Sequence, residues 1–322
     1  MSKRALDFEF LIKDWSPAIE KKLEEILPSF PNISDPIWQK AIRSAVFDGG
    51  KRTRPFLTIM GWQTISSSEN YQIDLMLEVA VAIELIHCSS LIFDDLPCMD
   101  NATLRHGTKA LHLEIGEDKA ILVALALLVK GIELVVLLAN SLTSFKQSNA
   151  LVVNLMQTIG TNGLICGQWF DLCAKQSVRN EKTDAKLLAL RNLKTMPLIK
   201  FSLLSGAILA NASEEQQIAL SQFAEYIGDA YQQVDDLLDF VGDSILLGKD
   251  VEIDRKNDRL NDAYLSLEQA VISIERKLDQ ARNIIKENFL NEQFSNNSSN
   301  LIIFTYYLSQ RFQNIIAQNS NK

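Results

Sequence analysis

The chain has 322 residues, of which 47% are hydrophobic and 22% charged, and its 32 basic and 40 acidic residues give a formal charge of -8. That composition is typical of a soluble globular protein with room for one large or two modest domains and a substantial core. The negative charge excludes the electrostatic footprint of a nucleic-acid binder, and no long basic run marks an anionic membrane surface, so any basic site must be local.

Only 13 Gly and 7 Pro occur, and apolar positions recur at three- and four-residue spacing over long stretches, which predicts a nearly all-helical chain. The N-terminal MSKRALDFEFLIKDW carries charges throughout and has no apolar run of the secretory kind, so a cytoplasmic location is expected. Polar and turn-forming content places loops at 27–36, 66–72, 141–149, 175–183, 246–261 and 291–300. None resembles an interdomain linker, and the only internal echo is a shared DDL tripeptide, so residues 1–322 read as one helical domain.

The first informative element is Gly49-Gly50-Lys51-Arg52-Thr53-Arg54-Pro55. It combines a flexible turn, three cations and a proline suited to the first position of a following helix. Backbone N–H groups and the positive end of that helix then point the same way as the cations, which suits a diphosphate; a solvated basic loop is the alternative. It is not a Walker loop, because Ala45 stands where the first glycine would be and Arg52 follows the lysine.

Residues 84–93 read as a buried helix that Pro97 stops, leaving Asp94 and Asp95 near its negative end, with Asp100 close behind. A cation is needed there. The segment 120–139 is the most membrane-like, but Lys130, Gly131 and Glu133 interrupt it, so a fully buried core helix is expected and no stable membrane insertion. Cys88, Cys98, Cys166 and Cys173 lack C-x-x-C spacing and lie in apolar context, which predicts reduced core thiols.

A second acidic cluster follows in QQVDDLLDF, where Asp235 and Asp239 are four apart on one helix face with Asp236 beside them. Hard divalent ions take oxygen ligands, and Mg2+ uses one or two carboxylates while leaving positions for water and phosphate. Two such clusters, each against apolar helix, suggest metal plus diphosphate; a solvated acidic face is the alternative. No EF-hand loop is present.

Taken together, these residues resemble the trans-type isoprenyl diphosphate synthases. ELIHCSSLIFDDLPCMDNATLRHG looks like that family's first aspartate-rich motif and IGDAYQQVDDLLDF like the second. GGKRTRP, GLICGQWFDL, LKTMPL and LGKD fall in the family's order, and YYLSQR resembles its C-terminal helix. The resemblance implies an all-α, single-domain bundle of ten or more helices around a deep central apolar pocket, paired as a homodimer. It implies an enzyme that extends an allylic diphosphate by one isopentenyl diphosphate, with three Mg2+ per active site.

Position by position, the resemblance gives Asp94, Asp95, Asp100, Asp235, Asp236 and Asp239 to the metals, with Asp171 in support. Lys51, Arg54 and His87 would hold isopentenyl diphosphate, and Arg105, Lys194 and Lys249 the allylic diphosphate. Thr195, Gln168 and Gln232 would face the developing cation and metals. The residue five before the first motif aspartate faces the growing chain in this family. Here it is Ser89, followed by Ser90, so the pocket is open past the farnesyl length and geranylgeranyl diphosphate is the expected product.

The chain departs from the family at three places. His106 stands where a second arginine is usual and cannot make a bidentate guanidinium contact. Ala124 and Leu125 replace a Gly-Asp, which would remove a polar group near the core. The segment DVEIDRKNDRLNDAY after Lys249 lacks the usual glycine, with Lys256 or Arg259 as substitutes. A noncatalytic partner subunit is therefore one alternative, and a terpene cyclase or head-to-head condenser, which needs no Lys51, Arg54 and His87 site, is another.

Overall fold

The computed structural model describes residues 3–27, 35–66, 73–177, 192–246, 267–289 and 299–320. Among them are more than ten α-helices and one two-stranded hairpin. In chain order they are α1 (Lys3–Ile26), α2 (Pro36–Phe47), α3 (Thr53–Ile65), α4 (Ile73–Asp95), β1 (Leu104–Arg105), β2 (Thr108–Lys109), α5 (Leu111–Ile115), α6 (Glu117–Ser141), α7 (Phe145–Ile159), α8 (Leu164–Ser177), a 3-10 turn (Asn192–Lys194), α9 (Met196–Leu209), α10 (Glu214–Leu246), α11 (Leu267–Phe289) and α12 (Ser299–Ser320).

Helix starts follow local chemistry. Asp35 caps α2 by accepting from Ile37 N–H at 2.8 Å, and Pro36 fills the first helical position, where a missing N–H costs nothing. Before α10, Ser213 and Gln216 form a capping box, each side chain accepting from the other's backbone N–H at 3.2 and 2.8 Å. Helix α3 starts at Thr53, two residues earlier than Pro55 suggests, with Arg52 in a left-handed conformation (φ 51°) as its cap.

The chain packs as two compact units. One comprises Ile12–Met156 with Phe201–Ala212, the other Met1–Leu11, Gln157–Lys200 and Ser213–Lys322. In the first, α4 is the axis: Met76, Val79, Ala80, Val81, Ala82, Ile83 and Leu85 are sealed from solvent, and α3 and α6 pack along it. Gly131 lets α6 approach α4, because a Cβ there would stand 2.6 Å from Ile86 and 2.7 Å from the Ala82 carbonyl. In the second, α10, α11 and α12 pack together, and Phe8 seals α12 through rings centred 5.1 Å from Phe304 and 4.6 Å from Tyr307.

Several expectations change. The break at 141–149 is only Leu142–Ser144, since α7 starts at Phe145, and α8 runs on to Ser177. The expected loops at 28–34, 67–72, 178–183, 247–261 and 291–298 lie outside the described residues. Cys88 is buried as expected, whereas Cys98 is exposed in the turn after α4. Lys130 and Glu133 do not interrupt α6, because they pair at 3.0 Å on a continuous helix.

Nor is α6 a fully buried helix: 39% of its apolar window is buried, and Leu122, Leu125, Val129 and Leu137 are exposed. By length and composition alone, three described helical stretches, Ile73–Asp95, Glu117–Ser141 and Phe145–Cys173, are apolar enough to cross a membrane.

Helices α3 and α9 touch backbone to backbone at Gly61 and Gly206. A Cβ on Gly206 would fall on the Thr58 carbonyl and 2.8 Å from the Trp62 nitrogen, and one on Gly61 would fall on the Leu203 carbonyl. Neither obstacle is a side chain that can swing away. Gly206→Ala is expected to destabilise the protein by about 3 kcal/mol, at the upper end of overpacking costs. Urea unfolding checks this, and an unchanged midpoint would mean that the two helices do not pack this closely.

Candidate active site

Helix α4 ends as the sequence indicates, with Asp94 half-buried and Asp95 buried in its last turn. The chain folds back at once. Asp100 N–H donates to the Asp94 carbonyl at 2.9 Å and Ala102 N–H to the Asp95 carbonyl at 3.2 Å, which satisfies acceptors that a helix end leaves open. Carboxylates at this negative pole need a cation. Arg105 supplies one to Asp95, its Nε lying 3.1 Å from both oxygens and its Nη2 bonded as well. The side chain of Asp100 is exposed.

Arg105 is brought there by the hairpin, a feature that helical patterning misses. Strands β1 and β2 pair antiparallel through Leu104 with Lys109 and Arg105 with Thr108. The connecting His106 and Gly107 both have positive φ, 52° and 83°, which is the geometry of a tight two-residue hairpin turn. The exposed His106 imidazole lies against the basic turn: a Cβ on Gly49 (φ 141°) would stand 2.6 Å from the His106 Cβ. Desolvation, and then the charge of Arg105, hold the His106 pKa below its ordinary value.

The basic turn divides its three cations. Lys51 is exposed. Arg52, 6% exposed, is locked inward: Nε meets Glu20 at 2.8 Å, and Nη1 meets Glu84 at 3.0 Å and the Gly49 carbonyl at 3.2 Å. Its role is structural, and the acidic residue inside a buried apolar helix, Glu84, was the sequence signal for it. Arg54 instead places Nη1 2.9 Å from His87 Nε2.

Burial, and then the charge of Arg54, push the His87 pKa well below 6.5, so the ring is neutral. An arginine can only donate, so Nε2 accepts and the ring proton sits on Nδ1. That Nδ1 is buried and meets no acceptor among the described residues. A neutral donor of this kind suits a phosphate oxygen. A cleft in this unit is lined by Gly50, Glu84, His87, Asp95, Arg105 and His106. Ser89, 1% exposed, and Ser90, whose Oγ donates to the His87 carbonyl at 2.8 Å, lie just beyond on α4.

In the other unit, α8, the 3-10 turn and α10 bring together residues far apart in sequence. Lys194 Nζ lies 3.2 Å from the buried Asp171 carboxylate, and Thr195 Oγ1 donates to Gln232 Oε1 at 2.7 Å. Gln168 is half-buried on α8, next to Gly167, where the Lys194 backbone approaches too closely for a side chain. Asp235, Asp236 and Asp239 follow Gln232 on α10, but their side chains lie outside the described residues, as do Lys249, Lys256 and Arg259. Leu125 is 43% exposed, so the replacement of the Gly-Asp pair falls on an open helix face and not near the core, and only Ala124 is buried.

Among the described residues no three His, Cys, Asp or Glu side chains gather as a metal cage. Mg2+ asks for less, taking one or two carboxylates with water and phosphate completing its octahedron. Asp94 and Asp95 are hard oxygen donors at a pole that favours a cation, so the residues present fit that ion.

The fold is all-helical, and its α4 cleft gathers carboxylates, guanidinium groups and imidazoles in one place. The polyprenyl synthetase profile matches residues 35–298, and the chain belongs to that family, which makes it a prenyltransferase by class. It is 36% identical over 242 residues to geranylgeranyl pyrophosphate synthase 11, chloroplastic, of Arabidopsis thaliana, covering 73% of this chain and 66% of that one. It thus spans about two thirds of that relative's length. With farnesyl diphosphate synthase of Bacillus subtilis (strain 168) the identity is 34% over 248 residues, covering 77% and 81%. An FPP/GFPP synthase from Zymomonas mobilis shares the fold at a TM-score of 0.78 and 28% identity, over 95% of this chain and 99% of that one.

The neutral state of His87 has a pH signature. As pH falls below 6.5 the unfolded chain binds protons that the folded chain refuses, so stability declines. His87→Gln is expected to flatten part of that decline between about pH 7 and about pH 5.5 in urea unfolding. Parallel curves for parent and variant would show that the imidazole is not desolvated.

Proposed function

We propose that the protein is a Mg2+-dependent prenyltransferase that joins isopentenyl diphosphate head-to-tail to an allylic diphosphate and forms geranylgeranyl diphosphate. The observation that carries this reading is the spacing on α4. His87, with its inward Nδ1 donor, and Asp94 are seven residues apart, which puts them on one helix face about 10 Å apart along the axis. One rigid helix thus presents a phosphate donor and a metal carboxylate in line, as two diphosphate substrates require.

In this reading Lys51, Arg54 and His87 hold isopentenyl diphosphate. Asp94, Asp95 and Asp100 on one unit, and Asp235, Asp236 and Asp239 with Asp171 in support on the other, are the assigned ligands for three Mg2+. When bound, the ions supply charge stabilisation to the departing diphosphate. Arg105, Lys194 and Lys249 are the cations assigned to allylic diphosphate oxygens, where positive charge favours breaking of the C–O bond with the electron pair leaving on oxygen. Thr195, Gln168 and Gln232 turn polar groups toward the allylic cation, which the isopentenyl double bond attacks. The released diphosphate takes the proton lost from the new C–C unit.

In this reading residues 1–322 act as one catalytic domain that works as a homodimer in the cytoplasm. Support for the dimer is the exposed row Leu122, Leu125, Val129 and Leu137 on α6, an apolar face that a second copy could cover. The geranylgeranyl product rests on Ser89, a small residue at a buried position of α4, and on the names of the Arabidopsis relatives.

Incubation of the purified protein with Mg2+, labelled isopentenyl diphosphate and dimethylallyl, geranyl or farnesyl diphosphate, followed by product chromatography, tests the activity. Product should form and should fall about a hundredfold or more in Asp94→Ala, with folding retained. Absence of product from every primer would sink the reading, and parent-like turnover in Asp94→Ala would remove the metal assignment.

Chain length has its own test. An aromatic ring at position 89 would occupy the path of the growing chain in a close-packed interior. Ser89→Phe or Ser89→Tyr is expected to shift the product toward farnesyl diphosphate, whereas Ser89→Ala leaves it unchanged. An unaltered distribution in both aromatic variants would mean that position 89 does not face the chain.

A further inference from the structure

We propose that Lys109 is a diphosphate-binding residue of the isopentenyl diphosphate site, supplying a permanent positive charge on the cleft rim beside His106. The inference rests on the activity proposed above and extends it to a residue outside every motif of the sequence.

Most of the positive charge around the α4 cleft, all within the unit built from Ile12–Met156, is already committed. Arg52 faces the cleft but is held between Glu20 and Glu84. Arg105 faces it with its guanidinium forked onto Asp95. His106 sits on the rim as a largely neutral ring, and His87 contributes an uncharged donor. These four lining side chains therefore deliver little net positive charge to a ligand, and in the proposed site the full cations come from Lys51 and Arg54 on the adjoining turn alone.

Lys109 is different. It lies on β2 at the same cleft, is exposed, and pairs with no carboxylate among the described residues. The hairpin register fixes its backbone, while a flexible four-carbon stem lets the ammonium reach a phosphate placed against His87. An ammonium used as a point charge needs no fork geometry, so it can serve where a guanidinium is missing. The rival partner is Asp48, an exposed carboxylate on the same rim that accepts from the Ser44 hydroxyl.

Steady-state kinetics and calorimetric titration with isopentenyl diphosphate test this. Lys109→Met is expected to raise the isopentenyl diphosphate KM and Kd by about tenfold, the loss of one charge-assisted contact, while kcat and the allylic KM change by less than about twofold. Lys109→Arg should retain parent-like values. His106→Arg in the Lys109→Met background should restore most of the loss, because a permanent charge returns to the same rim; a purely structural role for Lys109 would not be rescued in this way. Parent-like KM and Kd in Lys109→Met, as expected if the lysine serves Asp48, would overturn the assignment while product formation by the parent keeps the activity. A parent that neither forms product nor binds isopentenyl diphosphate would overturn the activity reading and this assignment with it.

Discussion

The buried contact between Arg52 and Glu84 is the interaction on which the rest of the site depends. It places a guanidinium and a carboxylate where charge is costly, and breaking one side of such a pair costs about 3–5 kcal/mol because the other charge is then stranded. Its value lies in geometry. Arg52 holds the basic turn by its own Gly49 carbonyl and joins it to α4 at Glu84, one turn before His87. Arg54 and His87 meet because Arg52, the middle cation of the turn, points inward and fixes the register of both.

Helix α4 carries that register onward. Sealed along most of its length, it cannot rotate or slide without opening the core, so Glu84, His87, Ser89, Asp94 and Asp95 hold fixed positions relative to one another. Burial is what makes the chemistry possible. The same desolvation that secures the helix keeps His87 neutral, and the same helix end that satisfies its carbonyls by a tight turn leaves two carboxylates at a negative pole. Stability is conceded locally at Asp94 and Asp95 and recovered along the apolar body of the helix.

Much of this was legible in the chain. Low Gly and Pro content and helical spacing indicated an all-α fold, and Pro97 marked where α4 stops. What escaped has physical causes. A hairpin with two residues per strand is too short to leave an alternating pattern, so the route by which Arg105 reaches Asp95 was hidden. An apolar helix looks the same in sequence whether it is covered on all sides or on one, so the pattern of α6 suggests core although Leu125 and Val129 are open. The pairing of Asp171 with Lys194 joins residues 23 positions apart, and only the family resemblance drew attention to both.

The contact of His106 with Gly49 bears on how this site can vary. Position 106 sits at positive φ, which shuts out β-branched side chains, and its Cβ touches a glycine that has no room to grow. Its backbone and first carbon are therefore frozen, while the end of its side chain lies on an exposed rim. Such a position is a tuning point: head groups can be exchanged there with little penalty to folding, and substrate affinity can drift up or down over generations without disturbing the helices beneath. The imidazole is then one setting among several that the same turn accepts.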